Sequence, residues 1–234
     1  MEETGKMDGA CGPDALKGYY RLHARIYDAT RWTFLFGRSA IVSEAERHLA
    51  AQALCGAQGA GSRTPGLAGL SILEAGCGTG RNLGMLARRF PGARIVGVDL
   101  CPSMLAVARR RLARGEGGCA RVELREQAYD APVQAGSFDL VLFSYALSMF
   151  NPGFEQALDA AFRDLKPGGL LAVVDFHDTP ARAFERWMGM NHVRMQGHLL
   201  SQAKARFEPL VERVVPAFGG LWRYLSFIGS RPGR

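Results

Sequence analysis

The stretch Ile72-Leu73-Glu74-Ala75-Gly76-Cys77-Gly78-Thr79-Gly80-Arg81-Asn82 constrains the fold more than any other part of this chain. A short apolar run enters it, an amphipathic run leaves it, and glycines stand at 76, 78 and 80 between them. Lacking a Cβ, glycine takes positive φ without strain and lets a ligand approach the backbone closely. A strand passing through such a turn into a helix is the opening unit of an open α/β sheet, whose ligands sit at strand ends. A dinucleotide turn needs G-x-G-x-x-G, and the position of its last glycine is Arg81; a P-loop needs Gly-Lys-Ser/Thr, and this loop has no lysine. Asp99 ends the next apolar run, 19 residues past Gly80, where a carboxylate can accept both hydroxyls of a ribose. One nucleoside without a pyrophosphate fits this pattern best.

Hydrophobic periodicity arranges the rest of the chain around that unit. Ser71–Ala75, Arg94–Asp99, Arg121–Leu124, Phe138–Phe143 and Leu170–Phe176 read as strands, alternating with helices that begin near Asn82, at Pro102, at Phe154 and beyond Pro180. Proline at 102 suits the first turn of a helix, where its missing N–H costs no hydrogen bond. Pro167-Gly168-Gly169 reads as the turn into the fifth strand, and Leu210–Val215 with Leu221–Ile228 as a hairpin closing the sheet. The fold class predicted is α/β: a Rossmann-like, doubly wound, mostly parallel seven-stranded sheet with an N-terminal helical cap. The domain division is a flexible tail over 1–15, the helical cap over 16–55, and a core over 70–234, with a glycine-rich loop between cap and core.

At 234 residues the chain suits one large α/β domain, and 47% hydrophobic with 22% charged residues excludes a disordered or collagen-like chain. No run approaches the roughly 18 consecutive apolar residues of a spanning helix. The polar first residues lack the basic-then-apolar order of a secretory signal, so the expected location is the cytoplasm. Five cysteines with no C-x-x-C pair point to reduced thiols, and His192 and His198, six apart, lack metal-ligand spacing, so no metal is expected. A formal charge of +7 gives a basic surface that suits anionic lipid, nucleic acid or solubility alone.

On the residues Glu74, Gly76, Gly78, Gly80 and Asp99, the chain resembles the class I S-adenosylmethionine-dependent methyltransferases over roughly residues 70–176. The resemblance implies S-adenosylmethionine as cofactor, S-adenosylhomocysteine as product, a loop contact from Glu74 and the glycines, and a ribose contact from Asp99. The family often carries Gly-Asp-Ala after the third strand; Glu126-Gln127-Ala128 stands there instead, and the Gln127 side-chain carbonyl can accept the same adenine hydrogen bond. Leu100, Asn82, Ala128 and Ser144 complete the expected cofactor surroundings. A second set of segments, Tyr20-Arg21, Ile26 to Arg31, Phe36-Gly37-Arg38, Ser144 to Met149, Val173 to Phe176 and His192-Val193, resembles small bacterial N-methyltransferases of betaine lipid synthesis. That resemblance implies an amine acceptor on a lipid headgroup, such as diacylglyceryl homoserine or phosphatidylethanolamine. A soluble amine, quinone or secondary metabolite as acceptor, and a non-catalytic cofactor-binding module, are the competing readings.

Methyl transfer from a sulfonium is an in-line displacement with an activated leaving group, so the protein mainly aligns two reactants in a water-poor site. A protonated amine must first shed a proton, for which His177 is the candidate base. Tyr27 and Tyr145 are the candidate walls of a cationic acceptor site, since aromatic faces stabilise a quaternary product. Arg31 and Arg81 are candidates for the cofactor carboxylate, which a guanidinium matches with two hydrogen bonds. Tyr27 and Arg31, at helical spacing with Asp28, equally suit an intrahelical packing arrangement. The aromatic and basic run from Tyr19 to Arg47 suits either a lid over the cofactor or shallow contact at the inner membrane surface. No nucleic acid is expected, because the Asn/Asp-Pro-Pro-Tyr/Phe type of motif after strand four is replaced by Ser144-Tyr145-Ala146-Leu147.

Overall fold

The computed structural model describes residues 35–57, 67, 69–116 and 121–233. The described chain opens on helix α1 (Arg38–Ala57), then β1 (Ser71–Ala75), α2 (Arg81–Arg89), β2 (Arg94–Asp99), α3 (Pro102–Arg111), β3 (Arg121–Glu126) and β4 (Phe138–Ser144). There follow α4 (Phe154–Asp164), β5 (Leu165–Asp178), α5 (Arg182–Met190), α6 (His198–Lys204), β6 (Glu208–Ala217) and β7 (Trp222–Ser230). The strands form one seven-stranded sheet in the order β3-β2-β1-β4-β5-β7-β6. All pairings from β3 to β5 are parallel, and β7 runs antiparallel to both neighbours.

Alternation along the strands divides the core in two. Ile72, Ile95, Leu140 and Val174 face α1 and α2, which contribute Ile41, Val42, Leu83 and Leu86. Leu73, Val96, Val141 and Val173 face the other way, toward Leu158 of α4 and Leu199 of α6. Central strands buried on both faces read as continuous apolar runs because helices cover each side.

Two boundaries differ from the sequence reading for identifiable reasons. Pro167-Gly168-Gly169 does not precede the fifth strand but lies within it: Leu165 already pairs with Phe138, Gly168 N donates to Arg231 O at 2.9 Å, and Arg231 N donates to Gly169 O at 2.8 Å. Gly168, at φ +77, absorbs the irregularity. The closing hairpin is folded back, so that the last strand is interior and β6 is the edge. Burial explains the choice: Leu225, Phe227 and Ile228 of β7 are fully buried, whereas β6 carries Pro209, Glu212, Arg213 and Pro216. Prolines and charges suit an edge, where missing donors are harmless and further pairing is discouraged.

The strand order reverses between β1 and β4, as the chain moves from β1 outward to β3 and then returns. Ala75 at the end of β1 pairs with Val98 on one side and Phe143 on the other. The glycine-rich loop, Asp99 and Ser144 therefore emerge together at the topological switch point, where open α/β sheets bind ligands.

Candidate active site

The loop after β1 is built from backbone bonds to β2. Gly76 N and Cys77 N both donate to Val98 O, at 2.8 and 3.0 Å, and Gly78 N donates to Asp99 Oδ2 at 2.8 Å. Gly76, Gly78 and Gly80 all have positive φ, at +72, +54 and +75. Their surroundings differ. A Cβ on Gly76 would lie 2.6 Å from Ala146 Cβ, and one on Gly80 would lie 2.9 Å from Ala108 Cβ, whereas one on Gly78 would meet nothing within 4 Å. The outer two glycines permit close packing; the middle one leaves its Cβ position open.

Glu74 lies beneath this loop and is buried. Its Oε1 accepts a 2.7 Å hydrogen bond from Asn82 Nδ2, while Oε2 is buried with no partner. Burial raises its pKa from 4.5 to about 8, against the hydrogen bond from Asn82 and the charge of Arg38. An orphaned buried carboxylate oxygen calls for a donor, and the ammonium of an amino-acid ligand is such a donor. Asp99 accepts from Gly78 N and, through Oδ1, from Cys101 N at 2.8 Å. Burial pushes its carboxyl up, against those two hydrogen bonds. A carboxylate offers about four lone-pair sites, so capacity for two ribose hydroxyls remains. Gln127 follows β3 at the same end and ties to Asp99 through a 3.1 Å bond from its N–H to Asp99 O. Leu100 is half-buried beside Asp99, and Ala128 is exposed. Glu74, the open face over Gly78, Asp99 and Gln127 fit the amino-acid and nucleoside parts of S-adenosylmethionine.

Ser144 ends β4 with its Oγ buried and unpartnered. Tyr145 follows at φ +56, an uncommon conformation for a bulky residue and one that functional turns often hold. Its hydroxyl donates to Phe36 O at 2.9 Å, and its ring stands edge-on to Phe176 at 4.8 Å. Burial pushes the phenol far above its ordinary range. Tyr145 thus pins the segment before α1 to the end of β4. Asp175, fully buried, accepts from Ser148 N at 3.1 Å and Phe176 N at 2.8 Å and holds the turn after β4. Burial raises its pKa to about 6, against those bonds. His177 shares its strand face, with its ring 3.4 Å from the position a Gly197 Cβ would take, its Nδ1 buried without a partner, and its pKa lowered by burial.

Tyr27 and Arg31 lie outside the described residues, as do residues 16–34 of the segment expected as a helical cap. Arg81 is exposed at the start of α2 and lines a cavity of about 410 Å³ together with Arg38 and Arg88. Sequence reasoning named Arg81 for the cofactor carboxylate and Arg38 only within a resembling segment, without the charge that Arg38 presents to Glu74 once α1 packs. It missed Gly97, where a Cβ would lie 2.6 Å from Leu83 and 3.1 Å from Cys77 Sγ, although a lone glycine inside a β-branched strand signals such close packing. Cys77 is packed there, and burial raises its thiol well above the ordinary range.

A family model described as a methyltransferase domain matches residues 72–169. Demethylmenaquinone methyltransferase of Thermus thermophilus is 41% identical over 117 residues, 48% of this chain and 50% of that protein. Trans-aconitate 2-methyltransferase of Deinococcus radiodurans is 32% identical over 161 residues, 69% of this chain and 51% of that protein. The chain thus spans about half the length of these curated relatives. Among solved structures, 1,6-didemethyltoxoflavin-N1-methyltransferase of Burkholderia thailandensis, with bound S-adenosylhomocysteine, superposes with a TM-score of 0.66 at 17% identity, covering 99% of this chain and 100% of that one. Geranyl diphosphate C-methyltransferase of Streptomyces coelicolor gives 0.59 at 18% identity over 71% of this chain and 73% of that one. The switch-point loop and the orphaned Glu74 oxygen lie within residues 72–169, the part of this chain that matches the methyltransferase domain.

Proposed function

We propose that the chain transfers a methyl group from S-adenosylmethionine to a small-molecule acceptor of the quinone or related metabolite class. One observation carries the choice of a ring-bearing acceptor. Aromatic side chains run in contact from the end of β4 to the surface: Tyr145 to Phe176 at 4.8 Å, Phe176 to Trp222 at 5.0 Å, Trp222 to Phe36 at 6.0 Å, and Phe36 to Phe218 at 5.4 Å. Tyr145, Phe176 and Trp222 are buried, so a flat apolar partner meets this row at its exposed outer end, Phe36 and Phe218, through offset and edge contacts. The names of the similar proteins point the same way, to a quinone or a metabolite, and away from a lipid headgroup amine.

The cofactor supplies an electrophilic methyl group, and the acceptor takes it as the thioether leaves. The chain's own part is to hold, orient and keep water out. The Tyr145 hydroxyl keeps its proton, since burial raises its pKa and its bond to Phe36 O uses that proton. His177, the base expected from the sequence, shares the strand face of Asp175, across the sheet from the Phe176 ring that meets Tyr145, and its Nδ1 is buried, so this reading gives it no proton transfer. Ser144 Oγ orients the acceptor's oxygen, and Asp175 positions the turn that carries Ser144 and Tyr145.

A carboxylate acceptor is the second reading, favoured by the cavity that Arg38, Arg81 and Arg88 line and by the trans-aconitate enzymes among the relatives. Kinetics with methyl-labelled S-adenosylmethionine decide between them, using demethylmenaquinone in reduced form, trans-aconitate and phosphatidylethanolamine. Label on the reduced quinone is the expected outcome. Label on trans-aconitate alone selects the second reading, and label on the lipid amine alone overturns both.

A further inference from the structure

Large apolar side chains exposed on this protein gather at one end of the sheet. Among the described residues seven such side chains are exposed, and five of them, Phe36, Trp187, Met190, Phe218 and Leu221, are 41–72% exposed around the C-terminal ends of the parallel strands. The hairpin turn carrying Phe218 and Leu221 is joined to the segment after β5 by a 2.6 Å bond from Thr179 Oγ1 to Leu221 O. Helix α5, with Trp187 and Met190, begins three residues later at Arg182. Phe36 meets Phe218 edge to face. Scattered exposed apolar residues need no explanation, but a grouped set at the mouth of a site marks a contact surface.

Charge identifies the partner. Residues 178–194 and 218–223 hold four arginines, Arg182, Arg186, Arg194 and Arg223, against two acids, Asp178 and Glu185. The ion pair between Asp178 and Arg223 cancels one charge of each sign, which leaves Arg182, Arg186 and Arg194 against Glu185. Aromatic and apolar tips among guanidinium groups are the composition that settles at an anionic bilayer interface, where rings sit at headgroup depth and arginines meet phosphates. We propose that this crown is a contact surface for an anionic lipid bilayer and that the acceptor passes from the bilayer to the exposed Phe36 and Phe218 end of the aromatic row. The passage of the acceptor rests on the quinone reading above; the bilayer contact does not.

The test is co-sedimentation of the full chain with vesicles of phosphatidylcholine alone and of phosphatidylcholine with phosphatidylglycerol, at low and high salt. Binding to the anionic vesicles that weakens with salt is expected. Trp187→Ser/Met190→Ser, two positions outside the catalytic machinery, reduces the partition coefficient about tenfold or more and leaves S-adenosylhomocysteine affinity unchanged. Arg182→Gln/Arg186→Gln lowers binding to anionic vesicles alone. Absence of binding to anionic vesicles, equal binding of the double variants, or burial of the crown in a stable dimer by light scattering overturns the proposal. Vesicle binding without methylation of the reduced quinone retains the surface and overturns the acceptor reading; the reverse outcome does the opposite.

Discussion

Replacing Gly78 by alanine separates cofactor binding from the folding of the turn that contacts it. Gly78 sits at φ +54, and an added Cβ would meet nothing within 4 Å. The cost to folding is therefore the left-handed conformation alone, about 1–2 kcal/mol, which lowers Tm by about 2–8 °C in a domain of this size. The new methyl group points into the space proposed for the cofactor. Overfilling a fitted site costs about 1–3 kcal/mol, which corresponds to about 5–150-fold in Kd. Gly76→Ala and Gly80→Ala are the controls. Their Cβ atoms would stand 2.6 and 2.9 Å from alanine side chains of the protein itself, so both lose stability beyond the conformational cost. The assay is urea unfolding paired with calorimetric titration of S-adenosylhomocysteine. A folded Gly78→Ala variant that binds S-adenosylhomocysteine as tightly as the native chain refutes the placement of the cofactor.

Glu74 gives a pH signature. Its folded pKa of about 8 lies above its ordinary 4.5, so the ligand-free fold holds a proton that the unfolded chain loses first. Its stabilising contribution is complete below pH 4.5 and is lost as pH rises through about 8, and thermal unfolding of Glu74→Gln shows a flatter pH profile across that window. A ligand ammonium favours the charged carboxylate, so binding of S-adenosylhomocysteine at pH 7 releases a proton, read by calorimetry in buffers of different ionisation enthalpy; no release contradicts the contact. Asp99→Ala weakens binding of S-adenosylhomocysteine by about 1–3 kcal/mol through lost charge-assisted hydrogen bonds, and unchanged affinity in a folded variant removes the ribose assignment. Asp175→Ala strands Ser148 N and Phe176 N in the interior, costs about 2 kcal/mol and lowers Tm by about 4–8 °C, while a Tm equal to the native value denies its hold on the turn after β4.

Local signals make the cofactor half of the site legible in the amino-acid sequence. Glycines at alternate positions, a carboxylate closing β2 and a proline opening α3 each act within a few residues of one another, so spacing alone carries the geometry. The strands from β1 to β4 are similarly readable, because apolar runs buried on two faces stand out between amphipathic helices. The acceptor half is hidden for the opposite reason. The charge of Arg38 reaches Glu74, and Phe36 packs beside Trp222 and Phe218, only by bringing together residues far apart in sequence. The strained Tyr145 is not readable as such, since nothing in Ser-Tyr-Ala-Leu marks a positive φ. The place of β6 at the sheet edge is carried by prolines and charges at 209, 212, 213 and 216, a signal that the reading of the two strands as a closing hairpin does not use. The lipid-amine reading rests on segments scattered from Tyr20 to Val193, of which Tyr20 to Arg31 lie outside the described residues, while the similar curated proteins carry quinone and trans-aconitate names.

The most direct test of methyl transfer to a ring-bearing acceptor is mass spectrometry of a small-molecule extract and a lipid extract, each incubated with the full chain and methyl-deuterated S-adenosylmethionine. The expected products are S-adenosylhomocysteine and a reduced quinone or other ring-bearing metabolite carrying one trideuteromethyl group. Both signals are expected to fall in Gly78→Ala at cofactor concentrations near the native Kd. Label absent from every acceptor while S-adenosylhomocysteine binds tightly would contradict methyl transfer, leaving a protein that holds the cofactor without passing on its methyl group.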